Sequence, residues 1–425
     1  MRVAIITDTY AETMGYAGSR IPAALAKIDD IDVHLVTAGL PAYYQIADYD
    51  KTYGNFQRPE YQSGDVREVE GFRVHYIDFR KAYGGIRLTG MRAKLEELQP
   101  DIVQIFSHTG WLAIDAARFQ RKLGYKLFTG NHTTASVYPL ASSPRPVLHP
   151  SRIKEFLRRG LPGRFISSRA ELCYGATADC SDVAVRFFGV PSHKLKTVLL
   201  GVDTDVFHPS ASDAEVTAAA QLRSSLGVCE SDIMCVYTGR FAQDKNPLLL
   251  AQAVAGLRAA GHPYRAVFFG DGAQREAIAA MPNAVVHPFV HFSELGTVFR
   301  ATDIGVWPTQ ESTSMIDCAA CGTPIIVNDT LAAVERVQGN GLQYRLGDVE
   351  DLKAKLLTLK DPASRAELGT FGAHKMESAF SWNALVQIRL DDYRRALGLA
   401  GPADQDRAEK PASSVAIVPA ASPSP

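Results

Sequence analysis

The chain lacks any apolar run of the roughly 18 residues that a membrane-spanning helix requires, so no transmembrane segment is expected. It lacks charge imbalance as well. Its 45 Lys and Arg against 46 Asp and Glu leave a formal net charge of −1, which argues against a general nucleic-acid binder. Cysteine is sparse and unframed: the six stand at 173, 180, 229, 235, 318 and 321. Cys318-Ala-Ala-Cys321 has redox or zinc spacing but no second pair and no nearby His, so these read as small buried cysteines. The N-terminus, MRVAIITDTY, has no signal-peptide character, because its short apolar run meets Asp8 at once and no small-residue cleavage site follows. Together these absences predict a cytoplasmic protein. A GxGxxG fingerprint with its ribose acid is missing, which weighs against a nicotinamide enzyme. No repeat of solenoid length is visible.

What is present is alternation. Short apolar runs (VAIIT, VHLVT, IVQIF, KLFTG, MCVYTG, AVFFGDG, AVVHPF, IGVW, PIIV) are separated by amphipathic stretches. Runs this short, with helical stretches between, predict buried parallel strands in βαβ units. One series covers about 1–200 and another about 231–375, with a connector and short helix at 209–227. The expected fold class is α/β: two Rossmann-like doubly wound domains facing a central cleft, with ligands at the carboxyl ends of the strands. The expected boundaries are 1–205 and 206–378, then a helix within 379–400 capped by Ser381. The Pro-, Ala- and Ser-rich stretch 401–425 is predicted to be disordered.

The segment with most chemistry runs from Trp307 to Val327, WPTQESTSMIDCAACGTPIIV. It reads as a buried strand, then Glu311, then a polar Ser-Thr-Ser turn. A small-residue helix opening at Asp317 and a second strand follow. Helix N-termini present N–H groups and a positive dipole end to a diphosphate, and carboxylates accept hydrogen bonds from sugar hydroxyls. This arrangement suits a nucleotide sugar. Elsewhere, Gly15 and Gly18 in the first βα turn are expected to adopt positive φ and to let backbone approach a ligand. His132 follows a strand and is placed to hydrogen-bond a sugar hydroxyl. His108, at another strand end, reads as lining or structural. Arg240 and Lys245, after Gly239, are two cations suited to a leaving diphosphate. Gly270-Asp271-Gly272 is a tight turn after a strand. The stretch 152–169 carries six basic residues against one acid, with Ile153, Phe156, Leu157 and Leu161 interleaved, the pattern of an interfacial amphipathic segment.

The Trp307–Val327 segment resembles the donor-site signature of retaining glycosyltransferases of family 4, which have the two-domain GT-B fold. TDTYAETMGYAGSR at 7–20, LLGVDTDVFHP at 199–209, VYTGRFAQDKNP at 236–247 and VFFGDGAQREAI at 267–278 resemble further segments of that family, in order. The resemblance spans about residues 1–397. It implies a hexosyltransferase of glycan or glycolipid biosynthesis. Such an enzyme moves a sugar from a nucleotide diphosphate sugar to a hydroxyl of a lipid, glycan or small molecule, with retention. It also implies a last helix that crosses back to the first domain.

By the same resemblance, the Gly15–Gly18 loop approaches the donor phosphate and acceptor, and His132 points at the donor sugar. Arg240 and Lys245 hold the diphosphate, Gly270 to Gly272 border the nucleotide, and Phe289 and Val290 lie beside the base. Asp317 takes the ribose hydroxyls, while Ser312, Thr313, Ser314 and Met315 offer N–H groups. The family places seven residues between its two acids; here five separate Glu311 from Asp317, read as a two-residue deletion. No metal and no cofactor beyond the co-substrate are expected. Peripheral contact of 152–169 with the inner face of a membrane is a further expectation. Two other readings stay open: a non-hydrolysing nucleotide-sugar epimerase of the same fold, and a non-catalytic sugar- or nucleotide-binding protein.

Overall fold

The structure, a computed structural model, describes residues 1–12, 15–41, 44, 61–138, 140–141, 149–309 and 312–399. Glu311 and the stretch 401–425 therefore lie outside the described residues. Two sheets organise the chain. The first contains β1 (Arg2–Ile6), β2 (Asp32–Thr37), β3 (Val66–Val69), β4 (Phe72–Tyr76), β7 (Ile102–Ile105), β8 (Lys126–Asn131), β9 (Ala170–Gly175) and β10 (Leu195–Thr197). A separate hairpin, β5 (Phe79–Ala82) with β6 (Gly85–Leu88), lies between β4 and β7. The first sheet has the order β10-β9-β8-β7-β1-β2-β4-β3. The second contains β11 (Ile233–Thr238), β12 (Tyr264–Phe269), β13 (Ala284–His287), β14 (Ile304–Trp307), β15 (Ile325–Asn328) and β16 (Gly341–Tyr344), ordered β13-β12-β11-β14-β15-β16.

All pairings in the second sheet are parallel. Strands such as IMCVYT in β11 are buried along their whole length, as a sheet with helices on both faces requires. In the first sheet β3 turns back antiparallel to β4. That strand and the β5–β6 hairpin are absent from the apolar-run reading, because VREV and FRKA alternate or expose their side chains. The connector helix, Asp213–Ser225, is longer than a short linker helix. Strand order reverses between β1 and β7 in one sheet and between β11 and β14 in the other. Those switch points are where loops diverge and leave a crevice.

The chain passes between the sheets twice. Val202 N donates to Phe380 O at 2.8 Å, and Trp382 N donates to Val202 O at 3.0 Å. A Cβ on Gly201 would lie 2.6 Å from the Trp382 ring, so the two passes touch backbone to side chain. The Ser381 side chain accepts from Ala384 N and caps the helix Trp382–Ala396. Phe380 belongs to the core under the second sheet, whereas Trp382, Leu385, Val386 and Tyr393 belong to the core under the first.

Candidate functional site

The carboxyl ends of the two sheets face a cavity of about 260 Å³. From the first sheet it is lined by Thr7, Thr9, Tyr10, Ala11, Gly15 and Tyr16 after β1, by Phe106 after β7 and by His132 after β8; Thr313 and Asp317 close it from the second. Gly15 has φ +61°, and a Cβ there would lie 1.9 Å from the Phe292 ring, so only glycine fits where this loop meets the second domain. Gly18 corrects the expectation of positive φ: it is the second residue of the helix Ala17–Ala26. A Cβ there would approach Phe106 at an ordinary 4.0 Å.

His132 is open to solvent on the cleft side and walled by protein elsewhere, with its ring edge-on to Phe106 at 6.0 Å. Enclosure, and then the charge of Arg389, push its pKa down to about 4. At neutral pH it is an uncharged imidazole with one donor and one acceptor. His108 is a core residue. Its ring meets Thr129 Oγ1 at 2.7 Å, Gly163 O at 3.1 Å and Ser167 Oγ at 3.0 Å, and it is 1% exposed.

In the second domain, the loops after β11 and β12 interlock. Gly239 N donates to Phe269 O at 3.0 Å and Phe241 N to Asp271 O at 2.8 Å. A Cβ on Gly270 would lie 1.9 Å from Gly239 O, and one on Gly272 2.8 Å from Phe241 O. These glycines let two backbones touch. The Asp271 carboxylate accepts from Gly272 N at 2.7 Å and from Arg275 at 3.4 Å, which occupies it locally. Phe289 and Val290 follow β13, half-buried, beside the β12 loop, where Gly270 N donates to His287 O at 2.9 Å.

Arg240 and Lys245 share the loop after β11, and Arg240 makes a loose pair with Asp244 at 3.5 Å. Thr309 Oγ1 donates to Asp244 O at 2.6 Å, tying this loop to the one after β14. The two cations thus flank the switch point of the second sheet. Neither is among the residues that line the 260 Å³ cavity.

The helix after β14 is Ser314–Ala320 and opens three residues before Asp317, not at it as the small-residue run suggested. Asp317 therefore sits one turn in. Ser312 N donates to Met315 Sδ at 3.4 Å and Ser314 N to Ser312 Oγ at 3.3 Å. Both contacts are long and the thioether is a weak acceptor, so a better acceptor can displace them. The Met315 side chain is fully buried core.

Asp317 is 8% exposed and lines the cavity. No side-chain hydrogen bond reaches its carboxylate among the described residues, and burial, then the charge of Asp203, raise its pKa well above the usual carboxylate range. Asp203 itself accepts from Arg20 Nη1 at 2.8 Å. Arg20 also pairs with Glu70 and lies over the Phe292 ring at 5.6 Å.

Sequence reasoning missed Tyr10, Phe106 and Trp382 as cavity walls, and the Arg20–Asp203 bridge between the first helix and the segment joining the sheets. Asp203 lay in a quoted segment, GVDTDVF, without a role. Cys318 and Cys321 are buried free thiols. Among the described residues no group of three or more His, Cys, Asp or Glu is placed to hold a metal ion, and no helix is long and apolar enough to cross a membrane.

Comparison with known proteins bears on the same elements. The family model "Glycosyltransferase Family 4" matches residues 23–206, and "Glycosyl transferases group 1" matches residues 232–361. A D-inositol 3-phosphate glycosyltransferase of Geodermatophilus obscurus is 27% identical over 308 residues, which is 68% of this chain and 64% of that protein. The sulfoquinovosyl transferase SQD2 of Arabidopsis thaliana is 24% identical over 323 residues, 72% of this chain and 59% of that protein. The match thus spans somewhat less than two thirds of these relatives' own length.

Among solved structures, a sucrose-phosphate synthase from Thermosynechococcus elongatus superposes with a TM-score of 0.68 at 14% identity, covering 94% of this chain and 100% of that one. Anabaena HepE in complex with UDP gives 0.66 at 13% identity, with the same coverage of 94% and 100%. At such identities these structures establish the fold, GT-B. The two family models tile the two sheets in order, and the chain belongs to the family 4 glycosyltransferases.

Proposed function

We propose that the chain transfers a hexosyl group from a nucleoside diphosphate sugar to an acceptor hydroxyl, with retention at the anomeric carbon. The observation that carries this reading is the meeting of His132 from one sheet and Asp317 from the other in a single cavity. Arg240 and Lys245 stand at the adjacent strand end. Among the described residues no donor reaches the Asp317 carboxylate, and ribose hydroxyls supply donors. Neutral His132 supplies one hydrogen bond to the sugar.

Retention is drawn from family membership. Transfer on one face breaks the bond from the anomeric carbon to the β-phosphate oxygen and forms the bond to the acceptor oxygen. The acceptor proton passes to the leaving phosphate oxygen. Cations at the diphosphate stabilise the charge that develops there. An NMR assignment of the product's anomeric configuration tests retention, and an inverted product refutes it.

The donor is tested by thermal shift of the intact chain with UDP, GDP, ADP and dTDP, with NAD and CoA as controls. UDP comes first because HepE was solved with UDP and with UDP-glucose. A ligand bound only by the folded state adds RT ln(1 + [L]/Kd) of stability, so one nucleoside diphosphate standing out is expected. No shift with any of them overturns the donor site. The name of the D-inositol 3-phosphate glycosyltransferase relative favours a polyol acceptor hydroxyl.

Membrane contact is a second part of this reading. Ile153, Phe156, Leu157 and Leu161 are exposed by 45%, 43%, 58% and 52%. Arg158 and Arg159 both lie 3.3 Å from the single acid Glu155, leaving the segment net basic. Exposed apolar side chains beside basic ones fit an anionic bilayer surface, where each such charge adds about 1 kcal/mol. Co-sedimentation with anionic liposomes is expected for the wild-type chain and is expected to fall for Arg158→Glu/Arg159→Glu. Equal binding by both, or none by the wild type, removes this contact.

A further inference from the structure

Arg389 is 2% exposed, and its Nε and Nη1 atoms have no hydrogen-bond partner among the described residues. Its guanidinium lies over the Tyr174 ring at 4.4 Å. A buried cation with unmet donors is costly, and such a group calls for an acceptor. The buried acid on the same helix, Asp392, is already taken. It accepts from Lys196 at 2.8 Å, Arg395 at 2.9 Å and the Tyr174 hydroxyl at 3.1 Å.

Strand register places this charge near His132. Tyr174 of β9 pairs with Gly130 of β8, and side chains two apart on a strand share a face. Tyr174, Gly130 and His132 therefore stand on one face, and Gly130 contributes no side chain between them. On the helix covering that face, Trp382 lines the cavity together with His132, and Arg389 follows about two turns later on the same stripe. Other ionisable groups on the surrounding elements are Asp8 and Tyr10 after β1, Tyr174 on β9 and Asp317 across the cleft. Burial favours the neutral form of all four. Arg389 is thus the cation that bears on the ring.

We propose that Arg389 is a positioning residue for His132, donating through one bridging water to the imidazole nitrogen on its side. A guanidinium can only donate, so that nitrogen must accept, and the ring is then neutral with its other N–H directed at the sugar. A neutral ring also spares the reacting carbon a second positive charge where oxocarbenium character develops. The inference rests on the placement of His132 in the donor site.

The test is ¹⁵N-histidine NMR of the full chain across the acid range, for wild type, Arg389→Gln and Arg389→Lys, with His132→Asn to assign the resonance, alongside the pH profile of kcat/KM. Wild-type His132 is expected to remain one neutral tautomer down to about pH 5. In Arg389→Gln its midpoint is expected to rise part of the way toward the ordinary value, because the enclosure of the ring remains, and the acid limb of the kcat/KM profile to move to higher pH by the same amount. Arg389→Lys is expected to titrate like the wild type. An unchanged His132 titration in a folded Arg389→Gln protein overturns the proposal. If that variant does not fold, the wild-type spectrum decides alone: mixed tautomers or protonation near pH 6.5 overturn it. Undiminished activity of His132→Asn would instead refute the donor-site reading, while leaving the Arg389–His132 coupling measurable.

Discussion

Lys245→Ala is expected to lower turnover by two to three orders of magnitude at saturating donor, with the fold intact. Removing one preorganised group that stabilises developing negative charge costs about 3–4 kcal/mol in the transition state. Lys245 sits on the loop after β11, tied through Asp244 and Thr309 to the loop after β14. On the proposed reading it stands where the leaving diphosphate gains charge. Because the loop's shape depends on Gly239, Gly270 and Gly272 and their backbone contacts, the alanine variant should keep the wild-type circular dichroism spectrum and Tm. Steady-state rates with a competent donor and acceptor decide the matter, and an unchanged rate removes Lys245 from the diphosphate site.

Asp317→Asn should separate binding from stability. The carboxyl group is buried, without a hydrogen-bond donor among the described residues, and feels the charge of Asp203. Its folded pKa is raised, so the sign runs against the usual carboxylate. Above the unfolded value near 3.8 the unfolded chain ionises readily and the folded chain resists, and folding loses stability as pH rises through that interval. A neutral amide removes that cost. The variant is expected to melt several degrees higher at pH 7, corresponding to roughly 1–3 kcal/mol, and to match the wild type near pH 3.5. Donor affinity should fall at the same time by roughly tenfold, because the two ribose hydroxyls lose one of the two carboxyl oxygens that can accept from them. Calorimetric titration with the nucleoside diphosphate and differential scanning calorimetry at two pH values check both halves. A variant that is less stable and binds as tightly would contradict the assignment.

The parallel strands were legible because burial on both faces makes their sequences uniformly apolar, as in VAII of β1 and IMCVYT of β11. The antiparallel β3 and the β5–β6 hairpin were not, since edge strands expose side chains and lose that mark. Gly15 was legible as a positive-φ glycine, while Gly18 was not distinguishable from it by composition, although it is helical. The helix start at Ser314 was obscured because Thr313 does not cap it with its side chain. His132 and Asp317 were legible as separate strand-end residues. Their meeting in one cavity depends on the crossing at Val202 and Trp382, a contact between segments far apart in sequence. Arg389 carried no local signal at all, since its significance lies in what fails to surround it.

The path of the last helix also sets an order of events during synthesis. Domains usually fold as they emerge, N-terminal first. Here Trp382, Leu385, Val386 and Tyr393 complete the core beneath the first sheet, and the Tyr393 hydroxyl bonds to Gln104 on β7. The second sheet, whose strands lie between Ile233 and Tyr344, holds its own core and can close first. The earliest-made half of the protein, with the helix Ala17–Ala26 already on that face, must therefore wait for almost the last described residues to leave the ribosome before its core is complete.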